Sequence, residues 1–309
     1  MIKIFPQSNS LKFTEQLVNS NSVLETGRAN YYSLGKIHKT KFANGEITVV
    51  FEESVRNESI VIVSQPKTYE DIFELLETID AARRSSAKEI IGVIPSLPHS
   101  RQERRENGVR TTISARLIAD ILQVAGLDRL ITMDVHTTAI EGFYKIPFDN
   151  IDPFDSILKK IKTLNLQNPT IVSPDFGGMK RAKKYANKLG YNIAFISKER
   201  LKANEVESMT LIGSVKDSDV IIVDDMIDTG ATILKGLDLL KENGAKNFYV
   251  FATHGVFSND AINKFATNHN FPHVYITNTI PVDNHSNFVN IKEINVISEF
   301  DKALRKIFI

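Results

Sequence analysis

The sequence contains no cysteine. That absence removes disulfide bridges, thiolate nucleophiles and cysteine-ligated zinc together. An excess of either charge is also missing: 38 Lys and Arg stand against 37 Asp and Glu, a formal +1. No net field therefore recruits nucleic acid or a membrane surface, and an anionic ligand has to be met by local clusters. No window approaches the ~18 apolar residues of a membrane span. The opening MIKIFPQSNSLKF lacks the apolar core of a signal peptide. The expectation is a soluble, cytoplasmic chain with no nucleic-acid and no membrane partner.

Hydrophobic residues make up 42% of the chain and charged residues 24%, the balance of an ordinary globular protein. At 309 residues the chain is long enough for two domains. Short β-branched runs alternate with amphipathic segments, the pattern of a mostly parallel α/β sheet. In the first half, Ile60-Val61-Ile62-Val63 precedes a helix over about 71–87 and a strand over 90–95. A helix near 113–125 then leads to the strand Leu130-Ile131-Thr132-Met133. After about residue 150 the scheme restarts: strand 170–173, helix 177–189, strand 193–196, a polar stretch, strand 220–223, a helix and the strand 248–253. Two α/β domains, 1–150 and 151–309, follow from this reading, related only by a weak likeness of architecture.

The stretch VIIVDDMIDTGATI, residues 220–233, poses the functional question. Four aliphatic residues run into three carboxylates within five positions, then into Thr229-Gly230-Ala231-Thr232. The helix that follows has Ile233, Leu234, Leu237 and Leu240 on one face, with Gly244 placed to end it. In open α/β sheets ligands sit beyond the carboxyl ends of the strands, so Asp224 and Asp225 stand where such folds build sites. Two adjacent carboxylates suit the 2- and 3-hydroxyls of a ribose, and the N–H groups of a helix start suit a phosphate. Together they describe a ribose 5-phosphate. The residues alone equally allow a pair of solvated turn acids with an ordinary N-cap, or magnesium ligation by the same acids.

Asp224-Asp225-Met226-Ile227-Asp228-Thr229-Gly230-Ala231-Thr232 resembles the phosphoribosyl-pyrophosphate loop of type I phosphoribosyltransferase-fold proteins. Five further stretches follow in the order seen in ribose-phosphate diphosphokinases: Phe42-Ala43-Asn44-Gly45-Glu46, Arg101-Gln102-Glu103-Arg104, Met133-Asp134-Val135-His136, Ser173-Pro174-Asp175-Phe176-Gly177-Gly178 and Thr253-His254-Gly255-Val256-Phe257-Ser258. The resemblance spans about residues 4–303. It implies an α/β fold of two similar phosphoribosyltransferase-type domains, each a mostly parallel sheet flanked by helices. It also implies an enzyme that moves the diphosphoryl group of MgATP to the C1 hydroxyl of ribose 5-phosphate.

The site residues implied by the resemblance are specific. Lys198 and Arg200, in the polar stretch 197–209, match a mobile catalytic loop that stabilises charge on the transferring phosphates. Phe42, Asn44, Glu46, Arg101, Gln102, Arg104 and His136 match the ATP-binding side, where Phe42 can stack on adenine and Asn44 and Glu46 can meet the base edge. Asp224, Asp225, Asp228, Thr229, Gly230, Ala231 and Thr232 match the ribose 5-phosphate loop. His136 and Asp175 match metal-associated positions, with Mg²⁺ as the cofactor. Of these two, a hard cation prefers Asp175, completing its shell with phosphate oxygens and waters. Ser54, Arg56 and Arg110 match parts of a regulatory phosphate site. In the family the element carrying Phe42 reaches a neighbouring subunit, implying a homo-oligomer of at least a dimer, and hexamers built from dimers are common.

Departures from the family pattern are also visible. Asn44 and Glu103 replace frequent aspartates, and both changes are conservative. Ala231 stands where glycine is common, a strain of roughly 1 to 2 kcal/mol if that position needs a positive φ. Ala139 and Glu141 replace usual glutamines and put the polar contacts of their loop in doubt. The last residues, Arg305-Lys306-Ile307-Phe308-Ile309, fall where many members continue with a further strand that helps to bind regulatory phosphate and ADP. ADP is therefore expected to act here chiefly as a competitor of ATP. Two other readings remain at this point: a non-catalytic homologue associated with an active synthetase, and a phosphoribosyltransferase using the same loop.

Overall fold

A computed structural model describes residues 1–20, 31–105, 107–199, 208–282 and 288–308. The chain divides into two compact units. The first takes Met1–Asp152, Thr279–Pro281 and Val296–Ile309, and the second Pro153–Asn278 and Val282–Asn295.

The first unit is built on a sheet of parallel strands. In chain order its elements are β1 (Ile2–Pro6), α1 (Leu11–Asn19), β2 (Tyr32–Leu34), β3 (Ile37–Lys41), β4 (Ile47–Phe51), β5 (Ser59–Val63), α2 (Tyr69–Arg84), β6 (Glu89–Val93), α3 (Ser114–Ala125), β7 (Arg129–Met133) and β8 (Phe148–Ile151). The sheet order among the described residues is β2-β1-β5-β6-β7-β8, every pair parallel. Ile60, Val61, Ile62 and Val63 are all buried, because helices and loops cover both faces. Parallel strands accordingly read as continuous apolar runs rather than as alternation. One face packs on α2 and α3 through Leu75, Ile79, Ile118 and Leu122. The other packs on α1 and on a returning helix, α8 (Ile297–Phe308), through Phe13, Leu17, Phe300 and Leu304. The rings of Phe13 and Phe300 meet edge to face at 5.4 Å.

Strands β3 and β4 form a separate antiparallel hairpin, unpaired with either large sheet among the described residues. Its base is held by Ile37 and Phe51, which join the α2 side of the core, with the Phe51 ring edge-on to Phe5 at 4.8 Å. Beyond that base Ile47 and Val49 are also buried, with β4 lying along α2.

The second unit contains, in order, α4 (Phe154–Ile161), β9 (Thr170–Ser173), α5 (Met179–Leu189), β10 (Asn192–Glu199), β11 (Ser208–Ile212), β12 (Asp219–Ile227), α6 (Ala231–Glu242), β13 (Asn247–Gly255), α7 (Ala261–Ala266), β14 (His273–Thr277) and β15 (Ile291–Ile294). The sheet order is β11-β10-β9-β12-β13-β14-β15, parallel except for the β10–β11 hairpin. Helix α6 lays Ile233, Leu237 and Leu240 on one face of the sheet, and α4 and α5 cover the other with Ile157, Leu158, Ala182 and Tyr185. Each of these Ile and Leu side chains contributes about 1.5 to 3 kcal/mol by leaving water. Gly244, at φ +88, donates its N–H to Lys241 and ends the α6 region as its glycine suggested.

Chain order and sheet order together locate a crevice. From β9 the chain crosses through α5 to β10 on one side, whereas from β12 it crosses through α6 to β13 on the other. Connections that diverge in this way leave a gap at the carboxyl ends of β9 and β12, the switch point at which α/β sheets bind ligands.

Candidate active site

In the second unit the switch point carries the acids singled out in the sequence. Asp175 follows β9, while Asp224 and Asp225 lie on β12. They are not beyond the strand: β12 continues to Ile227, because β13 pairs with it as far as Met226–His254 and Ile227–Gly255. The β9 ladder covers only Val220 to Ile222 of β12. The acid pair is thus held rigidly by β13 on one side and open on the other.

Asp225 donates its backbone N–H to Asp224 Oδ1 at 2.9 Å, and Asp225 is buried. Burial and the neighbouring Asp225 push the Asp224 carboxyl well above the usual aspartate range, and Asp175 adds a smaller push the same way. Three carboxylates therefore share one field. Asp175 Oδ1 accepts the Gly178 N–H at 2.9 Å, and Ser173 Oγ donates to the Asp175 carbonyl at 2.7 Å, so the loop before α5 is pinned. Phe176, between them, is 80% exposed.

After β12 the chain passes through Asp228 and Thr229, both half-buried, to Gly230, which sits at the N-cap of α6 with φ +71. No side chain caps this helix. Its first backbone N–H groups point out with the positive end of the helix dipole, the arrangement that holds phosphate. Ala231 and Thr232 are exposed in the first turn. Ala231 has helical geometry, and the left-handed residue is its neighbour Gly230. The strain considered for an alanine at 231 does not arise.

Lys198 and Arg200, which the resemblance assigns to the transferring phosphates, fall at the limit of the described residues. Lys198 belongs to β10 by its backbone, paired with Met209, so residues 197–199 are strand rather than loop. Its side chain, and Arg200 altogether, lie outside the described residues.

In the first unit, Phe42, Asn44 and Glu46 stand at the tip of the β3–β4 hairpin, all exposed. Asn44 Oδ1 accepts the Glu46 N–H at 3.1 Å, and Phe42 exchanges backbone bonds with Gly45 and Glu46. An aspartate carboxylate could close the same turn, and the Asn44 amide NH₂ is not part of it. Two lysines on one face of β3 reach helix α2: Lys39 Nζ lies 2.8 Å from Glu74 and 3.4 Å from Glu70, and Lys41 Nζ lies 2.6 Å from Glu70.

Arg101, Gln102 and Arg104 are exposed in the segment before α3. Gln102 Oε1 accepts from the Ser114 hydroxyl at 2.6 Å, a bond that does not engage its amide nitrogen. His136 follows β7, exposed, two residues after Asp134, which holds a left-handed φ of +46. Ala139 and Glu141 lie exposed on the short 3₁₀ turn Thr138–Phe143. Ser54 and Arg56 line one cleft of about 450 Å³ with Glu53, Arg84 and Ser85; Arg110 is not in its lining. Among the described residues no group of three or more His, Asp or Glu could hold a metal ion by itself.

Reading the sequence did not find Glu74, Lys39 or Lys41, nor Ser114 behind Gln102. Their signal is long-range: acids one helical turn apart opposite lysines two apart matter only once the hairpin is known to lie on α2.

Two mostly parallel sheets flanked by helices, with acids and an open helix start at the switch point of the second, define a phosphoribosyltransferase-type α/β protein. The family model for the N-terminal domain of ribose phosphate pyrophosphokinase matches residues 2–126, and that for the phosphoribosyl synthetase-associated domain matches 199–309. Ribose-phosphate pyrophosphokinase A of Dictyostelium discoideum is 41% identical over 278 residues, 89% of this chain and 87% of that protein. The ribose-phosphate pyrophosphokinase of Campylobacter jejuni is 38% identical over 310 residues, 99% of this chain and 96% of that one. A crystal structure of phosphoribosylpyrophosphate synthetase from Mycobacterium smegmatis superposes with a TM-score of 0.89 at 33% identity, covering 100% of this chain and 99% of that one. The chain belongs to the ribose-phosphate pyrophosphokinase family.

Proposed function

We propose that this chain is an active ribose-phosphate pyrophosphokinase, which transfers the β,γ-diphosphoryl group of ATP to ribose 5-phosphate and releases AMP. The C1 hydroxyl oxygen bonds to the β-phosphorus, the bond from that phosphorus to the α-phosphate oxygen breaks, and the hydroxyl proton is lost. The observation that carries the reading is the Asp224-Asp225 pair followed by the uncapped start of α6. Asp224 and Asp225 accept the ribose hydroxyls, and the N–H groups over Asp228 to Thr232 receive the 5-phosphate.

Little covalent help is needed in such a transfer, so positioning and charge neutralisation lower the barrier. On the first unit Phe42 stacks on adenine, while Asn44, Glu46 and the Gln102 amide meet its edge. Arg101, Arg104 and His136 serve the ATP phosphates. Lys198 and Arg200 act on the transferring group, where cations that approach late stabilise the transition state most.

The donor set fits Mg²⁺. Asp175 offers a second carboxylate oxygen beside the Gly178 contact, in a field of three acids whose repulsion a divalent cation relieves. With no complete protein cage among the described residues, phosphate oxygens and waters finish the shell, as this cation prefers. Bound there, it would neutralise the diphosphoryl oxygens. Ser54 and Arg56, with Arg110, are assigned to a regulatory phosphate. A homo-oligomer, at least a dimer, and a cytoplasmic location belong to the same reading; no described helix is long and apolar enough to cross a membrane.

The test measures AMP release with each substrate omitted in turn. AMP formed only with ATP and ribose 5-phosphate together supports the reading. AMP formed without the sugar phosphate, or none from folded protein that binds ATP, contradicts it. A phosphoribosyltransferase is not favoured, since the chain matches ribose-phosphate pyrophosphokinases over nearly their whole length.

A further inference from the structure

The β3–β4 hairpin pairs with neither large sheet among the described residues, yet its tip bears Phe42, Asn44 and Glu46. Its body is held toward α2 by buried Ile47 and Val49, which face the same way as Lys41 and Lys39, and its aim is refined by two spacings that match. Lys39 and Lys41, two residues apart on a strand, project from one face about 6.6 to 6.8 Å apart. Glu70 and Glu74, four apart on α2, stand about 6 Å apart along the helix axis. The two rows pair in register, Lys41 with Glu70 at 2.6 Å and Lys39 with Glu74 at 2.8 Å.

The two pairs are unequal. Lys41 and Glu70 are 53% and 41% exposed, a setting in which an ion pair is worth little. The Glu74 side chain is 5% exposed. Besides Lys39, its Oε1 accepts the Ser8 N–H at 2.8 Å and the Ser8 hydroxyl at 2.9 Å, tying it to the turn after β1. A buried carboxylate held on one oxygen by the turn and on the other by Lys39 has one low-energy arrangement. Removing the ammonium leaves an uncompensated charge.

We infer that Glu74 is a positioning residue which, through Lys39, fixes the direction of the β3–β4 hairpin and thereby presents Phe42, Asn44 and Glu46 to the adenine of ATP. This rests on the adenine reading of the hairpin tip. Glu74 touches no substrate, and its effect is confined to the nucleotide. A merely structural glutamate would lower stability and leave substrate affinities in proportion.

The experiment compares Lys39→Met, Lys39→Arg, Glu74→Gln and Phe42→Ala in full-length protein, with KM measured for each substrate. Lys39→Met and Glu74→Gln are expected to raise the ATP KM roughly tenfold, leaving kcat within about twofold and the ribose 5-phosphate KM unchanged. Lys39→Arg restores the ATP KM. The Lys39→Met/Glu74→Gln double variant is no worse than either single one, since both cut the same tie. If Phe42→Ala raises the ATP KM but Lys39→Met does not, the positioning role is overturned while the adenine reading stands. If Phe42→Ala leaves the ATP KM unchanged, the adenine reading fails and this inference with it.

A readout independent of turnover uses the absence of tryptophan from the chain. Phe42→Trp places a lone indole at the tip. Its fluorescence anisotropy falls when Lys39→Met is added if the tie holds the hairpin, and an unchanged anisotropy overturns the proposal.

Discussion

Phe265, on α7, presses its ring edge against the α-carbon of Gly230 so closely that a β-carbon there would overlap it. Gly230 also carries a φ of +71. Two independent constraints therefore demand glycine at the point where β12 hands over to α6. Gly230→Ala adds roughly 1 to 2 kcal/mol of backbone strain and about 1 to 3 kcal/mol of overpacking. The expected result is a clear fall in Tm together with a raised ribose 5-phosphate KM, because the N–H groups that receive phosphate shift with the turn. Ala231→Gly, one residue on, costs no more than about 1 kcal/mol and leaves that KM unchanged. Calorimetry and initial rates on both variants check the contrast.

Asp224 is expected to be a residue whose function costs stability. Its carboxyl is pushed up by burial first and by Asp225 next. Asp224→Asn removes a repelled, desolvated charge, so the ligand-free variant is expected to melt above the parent wherever the parent carboxyl is ionised, by at least about 2 °C. The same variant loses the ribose hydroxyl contact, and its ribose 5-phosphate KM rises more than tenfold by the usual worth of a charged hydrogen bond. A normal KM would remove the diol role.

The sign of the pH dependence follows from the direction of that shift. The folded state holds the Asp224 proton more tightly than the unfolded chain does. Between the ordinary aspartate value and the raised one, folded protein therefore binds more protons, and stability contributed here rises as pH falls through the window. The penalty is fully present above the raised value. The Tm gap between Asp224→Asn and parent is thus largest on the alkaline side of that window and closes toward the ordinary aspartate range. Taking the difference cancels the groups remote from this acid cluster. A gap that widens on acidification would contradict the shift.

Lys198 is assigned to the transferring phosphates rather than to bound substrate. Lys198→Ala is accordingly expected to lower kcat by two orders of magnitude or more, with both KM values within a few-fold of the parent, the pattern of an interaction made in the transition state. An unchanged kcat would sink the assignment.

Much of this was legible in the sequence, and the reasons differ by element. The parallel strands showed themselves as unbroken runs such as Ile60-Val61-Ile62-Val63, because both faces are covered. The acid pair, Gly230 and the α6 face at Ile233, Leu237 and Leu240 are contiguous, so local pattern sufficed. What local pattern missed was set by partners distant in the chain. Strand β12 runs on through its acids only because β13 pairs with it to Gly255, and Lys198 lies in strand because β11 pairs back with β10. Glu74 reads as one more solvated acid in YEDIFELLETID. Only Ser8 and Lys39, 66 and 35 residues away, make it a buried anchor.

The most direct test of the central claim is phosphorus NMR of the purified chain with Mg²⁺, ATP and ribose 5-phosphate in one tube. The account predicts AMP appearing in step with a new diphosphate attached to C1 of the sugar, with no build-up of ADP. ADP and free phosphate as the products, or no turnover by folded protein under saturating substrates, would contradict it.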